Sequence, residues 1–99
     1  MRNKIFLYSL GLFLILSGFS WAQDFQSDTV STSQGELTMT FIAHGTLMFT
    51  YNDLVIHIDP VSRYADYSQL PDADLVLITH EHGDHLDPGA LSEIVKPET

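Results

Sequence analysis

Leu37, Met39 and Phe41 alternate with Thr38, Thr40 and Ile42, the period of two that predicts a β-strand. Thr46 to Tyr51 follows as a second strand, rich in β-formers. Asn52-Asp53 is a two-residue hairpin turn. Leu54, Ile56 and Ile58 then share one face of a third strand, with Val55 and His57 on the other. Asp59-Pro60 ends it, because proline has no N–H to give to a ladder. Residues 61–72 show little period and read as a long loop with room for a short helix. Asp74 to Ile78 is apolar without alternation, which predicts a strand in the interior of a sheet. Asp87-Pro88 reads as an N-cap and the first position of a helix whose apolar stripe is Ala90, Leu91, Ile94 and Val95. Pro97 marks its end. Antiparallel strands and then a strand–loop–helix unit predict a layered α/β domain.

The amino-terminal part belongs to a different class. Arg2 and Lys4 precede an apolar run of 15 residues, Ile5 to Phe19, and Ser20-Trp21-Ala22 places small residues where a signal peptidase reads. This is the pattern of a secretory signal peptide over 1–22, cleaved after Ala22, and the run is short of the ~20 residues of a spanning helix. The expectation is an exported protein, periplasmic or secreted, with no stable membrane anchor after cleavage. Residues 23–35 are polar up to Gly35 and read as an exposed leader, with the structured domain over 36–99. After cleavage only Arg63 and Lys96 face all 13 acids, a net charge of −11 with histidines neutral. Such a surface argues against nucleic acid and against anionic lipid as partners. The chain has no cysteine, so neither disulfides nor thiolate ligands can form.

Chemistry concentrates in Thr79-His80-Glu81-His82-Gly83-Asp84-His85, which holds three of the five histidines. Imidazole and carboxylate are the ligands of borderline-hard divalent cations, and the segment sits where a strand runs out into a loop. In an extended segment His80 and His82 point the same way and meet one ion. Asp84 and His85 come after Gly83, read here as the residue that lets the chain change direction, and face a second ion close by. Two such ions clamp a hydroxide nucleophile and the leaving oxygen of a substrate. A merely solvated acidic loop and a non-catalytic metal site are the competing readings. Structural zinc sites close with four protein ligands and are more often built on cysteine.

The order H-x-H-x-D-H across His80, His82, Asp84 and His85 resembles the signature of the metallo-β-lactamase superfamily. Phe41-Ile42-Ala43-His44-Gly45-Thr46-Leu47-Met48-Phe49, Val55-Ile56-His57-Ile58-Asp59-Pro60 and Asp72-Ala73-Asp74 extend the resemblance. They look like the branch of ascorbate-6-phosphate lactonase-like hydrolases. The resemblance implies the N-terminal half of an αββα sandwich. It implies that His80 and His82 hold one metal and Asp84 and His85 another, zinc by preference, with manganese or iron compatible with the carboxylates. It gives Asp59 the part of a carboxylate that orients a ligand or a water, against a plain strand-end carboxylate beside Pro60. His44 is either a pocket residue or a turn residue, His57 is structural, and Glu81 is solvated or hydrogen-bonded to loop backbone.

The activity implied is that of a hydrolase in which metal-activated hydroxide attacks a small-molecule ester, lactone or phosphodiester; β-lactams fit this branch poorly. The family's second half supplies further ligands, and no histidine comes after His85. The 99-residue chain is therefore expected to be an N-terminal part, inactive by itself and a weak zinc binder. The alternative is a non-catalytic metal-binding protein of the cell envelope, or an inactive remnant.

Overall fold

The structure, a computed structural model, describes residues 23–99. The signal-peptide reading of 1–22 lies outside the described residues. Among those described, no helix is long and apolar enough to cross a membrane.

Five strands form one sheet in chain order: β1 (Gln26–Thr32), β2 (Gly35–Ala43), β3 (Thr46–Tyr51), β4 (Leu54–Ile58) and β5 (Leu75–Leu77). The first four are antiparallel neighbours and β5 joins β4 in parallel. A parallel neighbour needs a crossover, and residues 59–74 supply it, with a single 3₁₀ turn at Tyr67–Gln69. Helix α1 (Pro88–Ile94) comes after the loop that leaves β5. The Asn52-Asp53 turn has φ of 45° and 68°, both left-handed, as a two-residue hairpin of matching twist requires.

The register places Leu37, Met39 and Phe41 of β2 beside Tyr51, Phe49 and Leu47 of β3, and these beside Leu54, Ile56 and Ile58 of β4. Leu75 and Leu77 extend the same face. The opposite face carries Ile42, His57 and Val76 and is covered by the crossover and α1. There Ala65, Tyr67, Ala73, Ala90 and Ile94 form the buried core, with Phe25, Ile42, Leu70 and Val76 packed against it. His57 is fully buried in this layer. One ring nitrogen, Nε2, bonds to the Pro71 carbonyl at 2.9 Å, and burial pulls the ring's pKa down despite that bond. Its structural reading fits this position.

Two sequence expectations need correction. Residues 23–35 are exposed, as their polarity predicts, but they are not a leader outside the domain. Gln23 clamps the Asp66 backbone through both amide atoms (2.7 and 2.8 Å), Phe25 packs on the core, and 26–32 pair along β2 as β1. Strand pairing satisfies backbone groups without any apolar side chain, so composition alone did not reveal it. Among the described residues, the strand expected in a sheet interior lies at its edge, as Leu75–Leu77. Leu75 and Leu77 are 46 and 47 % exposed, because among the described residues β5 has one neighbour and its Leu75–Leu77 face bears no second layer.

The ends of β5 and α1 are well tied. Asp74 accepts from the Val55 N–H (2.8 Å) and from Lys96 Nζ (2.7 Å). Asp87 caps α1 by accepting from the Gly89 N–H at 2.9 Å, and its other oxygen accepts from the Ser62 N–H at 2.8 Å. The helix stops at Ile94, with Val95 as C-cap, two residues before Pro97. Ala90 and Ile94 of the expected stripe are buried, whereas Val95 is exposed.

Candidate metal centre

Three chain segments meet at one end of the sheet: the β2–β3 turn with His44, the end of β4 with Asp59, and the loop 79–85. The expected extended path of that loop is not what forms. It bends, and the His85 and Leu86 N–H groups both return to the His82 carbonyl (2.9 and 2.8 Å). The imidazoles still converge, with ring centroids 4.8 Å apart for His80 and His82 and 3.9 Å for His80 and His85.

Asp59 anchors this arrangement. It is 1 % exposed, its backbone is left-handed (φ 47°), and its carbonyl accepts from the buried Thr46 hydroxyl at 2.7 Å. One carboxylate oxygen accepts from the Thr79 N–H (2.7 Å). The other accepts from the Thr79 hydroxyl (2.6 Å) and from His85 Nδ1 (2.7 Å). Burial pushes the Asp59 carboxyl up, but the Thr79 and His85 bonds outweigh it and hold it below the usual range.

These partners decide the tautomers. An ionised carboxylate only accepts, so His85 Nδ1 carries a proton and Nε2 is the nitrogen left to bind an ion. Thr79 has one hydroxyl proton, and Asp59 takes it. Its contact with His80 Nδ1 at 3.1 Å therefore has the ring as donor, which frees His80 Nε2 as well. A carboxylate behind a histidine is the usual device for aiming its other nitrogen at a metal.

Asp84 lies between two groups of donors. His44, Asp84 and His85 offer ligand atoms within 4.8 Å of one another, and so do His80, His82 and Asp84. The Asp84 Oδ2 atom is 3.1 Å from His44 Nε2 and 3.5 Å from His85 Nε2. Its carboxyl lies below the ordinary value: the upward push of burial is outweighed by its own backbone N–H and by His85 and His44. Apart from the His85 ring these groups are exposed, so the donors open to solvent. Ring nitrogens and a carboxylate gathered within 4.8 Å of one another fit a divalent cation.

Glu81 is exposed, and no part in either donor group falls to it. Gly83 is not left-handed, and a Cβ there would meet nothing. The glycine the site needs is Gly45, for space rather than conformation: a Cβ there would lie 2.9 Å from His85 Cε1. Thr79, Thr46 and Gly45 are the site residues that spacing did not single out. Thr79's place directly before His80 was the one signal for it.

Residues 38–97 match the beta-lactamase superfamily domain, and this chain belongs to that superfamily. It is also similar to a solved structure from Parabacteroides distasonis named "Putative metal-dependent hydrolase". The identity is 57 % and the TM-score 0.75, over 77 % of this chain. The chain spans 35 % of that protein's length.

Proposed function

We propose that this chain is the metal-holding part of a metal-dependent hydrolase that acts on a small ester, lactone or phosphodiester, with zinc as the first choice of ion. The Asp59–Thr79–His80/His85 hydrogen-bond chain carries the reading, since it engages Nδ1 of both rings and leaves their Nε2 atoms to bind an ion. A bound divalent ion supplies Lewis acidity and lowers the pKa of a bound water to about 7. His80, His82, Asp84 and His85 would hold such ions; Asp59 orients His85 and, through Thr79, His80. The net charge of −9, or −11 on cleavage after Ala22, leaves polyanionic substrates disfavoured and small ones accessible. The apolar amino-terminal run and the small residues before Gln23 support export.

The test is a hybrid in which residues 23–99 replace the matching part of the Parabacteroides distasonis relative. The expected result is turnover of at least one of an aryl ester, a small lactone and an aryl phosphodiester. It should disappear with a chelator, return with zinc and be lost in His80→Ala/His82→Ala. A folded hybrid that binds zinc and turns over none of the three overturns the reading.

A further inference from the structure

We propose that the β2–β3 turn supplies a metal ligand: His44 Nε2, with Asp84 and His85 Nε2, forms a three-donor site drawn from two separate chain segments. The proposal rests on the metal-centre reading above and adds to it a donor from outside the 79–85 loop.

The distances carry it. Ligand atoms about 2.0–2.2 Å from a tetrahedral ion stand about 3.3–3.6 Å apart. Asp84 Oδ2 stands 3.1 Å from His44 Nε2 and 3.5 Å from His85 Nε2, and all three groups offer atoms within 4.8 Å. His85 donates through Nδ1 to Asp59, so Nε2, which faces Asp84, is the nitrogen left to bind an ion.

The backbone is shaped for the same end. The β2–β3 register shifts between Phe41 and Ala43, a bulge of the kind that re-aims side chains beside functional sites. His44 then adopts φ 55°, an uncommon conformation for a side-chain-bearing residue and one enriched in histidine. Gly45 lets the turn close on the His85 ring, where a Cβ would be 2.9 Å away. An ordinary two-residue turn requires none of this to face a metal loop 40 residues on. Without an ion, the ring's Nε2–H donates to Asp84. With one, the ring passes to its Nδ1–H tautomer and Nε2 binds the ion in the proton's place.

Cobalt(II) titration of the full chain, monitored by calorimetry and by the d–d absorption bands, tests this. His44→Asn is the variant of choice, since asparagine tolerates the left-handed turn but has no imidazole. The expected result is that one cobalt(II) binding step weakens at least about ten-fold, with altered d–d bands, while the steps set by His80 and His82 persist. Unchanged affinity and bands in His44→Asn overturn this inference and leave the metal centre standing. A wild-type chain that binds no cobalt(II) overturns both.

Discussion

Gly45, and not Gly83, is the glycine the site requires, which spacing alone does not show. Gly83 has open space around it, whereas Gly45 faces the His85 ring. Gly45→Ala is expected to push His85 off Asp59 and weaken zinc binding about 10–100-fold, while Gly83→Ala leaves the isotherm in place. Calorimetric titration of both variants checks this, and equal effects would contradict it. Thr79→Val is expected to cost zinc affinity by a similar factor, because it removes the acceptor that holds His80 Nδ1 and one of the donors on Asp59. Thr79→Ser, which keeps the hydroxyl, should restore most of it. At this scale the ligands were legible, since H-x-H-x-D-H is dense and unusual. Their supports were not. Asp59 and Thr79 are 20 residues apart, and Gly45 meets His85 across 40, so only the fold brings each pair together.

The elements hold the loop at both ends, and capping makes this dependent on pH. Asp87 holds Ser62 and the first turn of α1 directly after the metal loop. The Ser62 N–H bond and those of Gly89 and Ala90 keep its carboxyl below the usual range against the push of burial. A carboxyl lowered in the fold adds stability that is fully present above its unfolded value, about 3.9, and is lost as pH falls through the folded value. Asp59 acts in the same direction. Tyr67 has the opposite sense: burial raises it to about 12, so its share is present below about 10 and fades as pH rises toward 12. Urea midpoints across pH should therefore fall at both extremes. Asp87→Ala should cost about 1–2 kcal/mol at pH 7 and flatten the acid limb. A variant as stable as wild type at pH 7 would contradict the role of Asp87 as a cap. Helix α1 could be read from Asp87-Pro88 because a cap is a local signal. The pairing of β1 could not, because ladder bonds are made by backbone that carries no residue code.

At the scale of the molecule, among the described residues the sheet has one covered face and one open apolar face. The covered face meets Ile94, which is fully buried, and Ile94→Ala should cost about 2–5 kcal/mol. On the open face, Leu75→Lys/Leu77→Lys should change stability by less than about 1 kcal/mol, since both side chains are nearly half exposed, and should lower the binding of an apolar dye. A large loss of stability in that pair would mean that the face is covered. The α/β layering was legible from the period of the strands and the capped helix. The edge position of β5 was not, because an unbroken apolar run reads the same whether a second layer covers it or not.

Whether loop 79–85 is a metal centre is tested most directly by anomalous scattering at the zinc edge from zinc-soaked crystals of the chain. Anomalous density is expected within bonding distance, about 2.0–2.2 Å, of His80 Nε2 or His85 Nε2, with Asp84 in the same shell. Crystals that show zinc only elsewhere on the acidic surface, with the 79–85 donors empty, would contradict it.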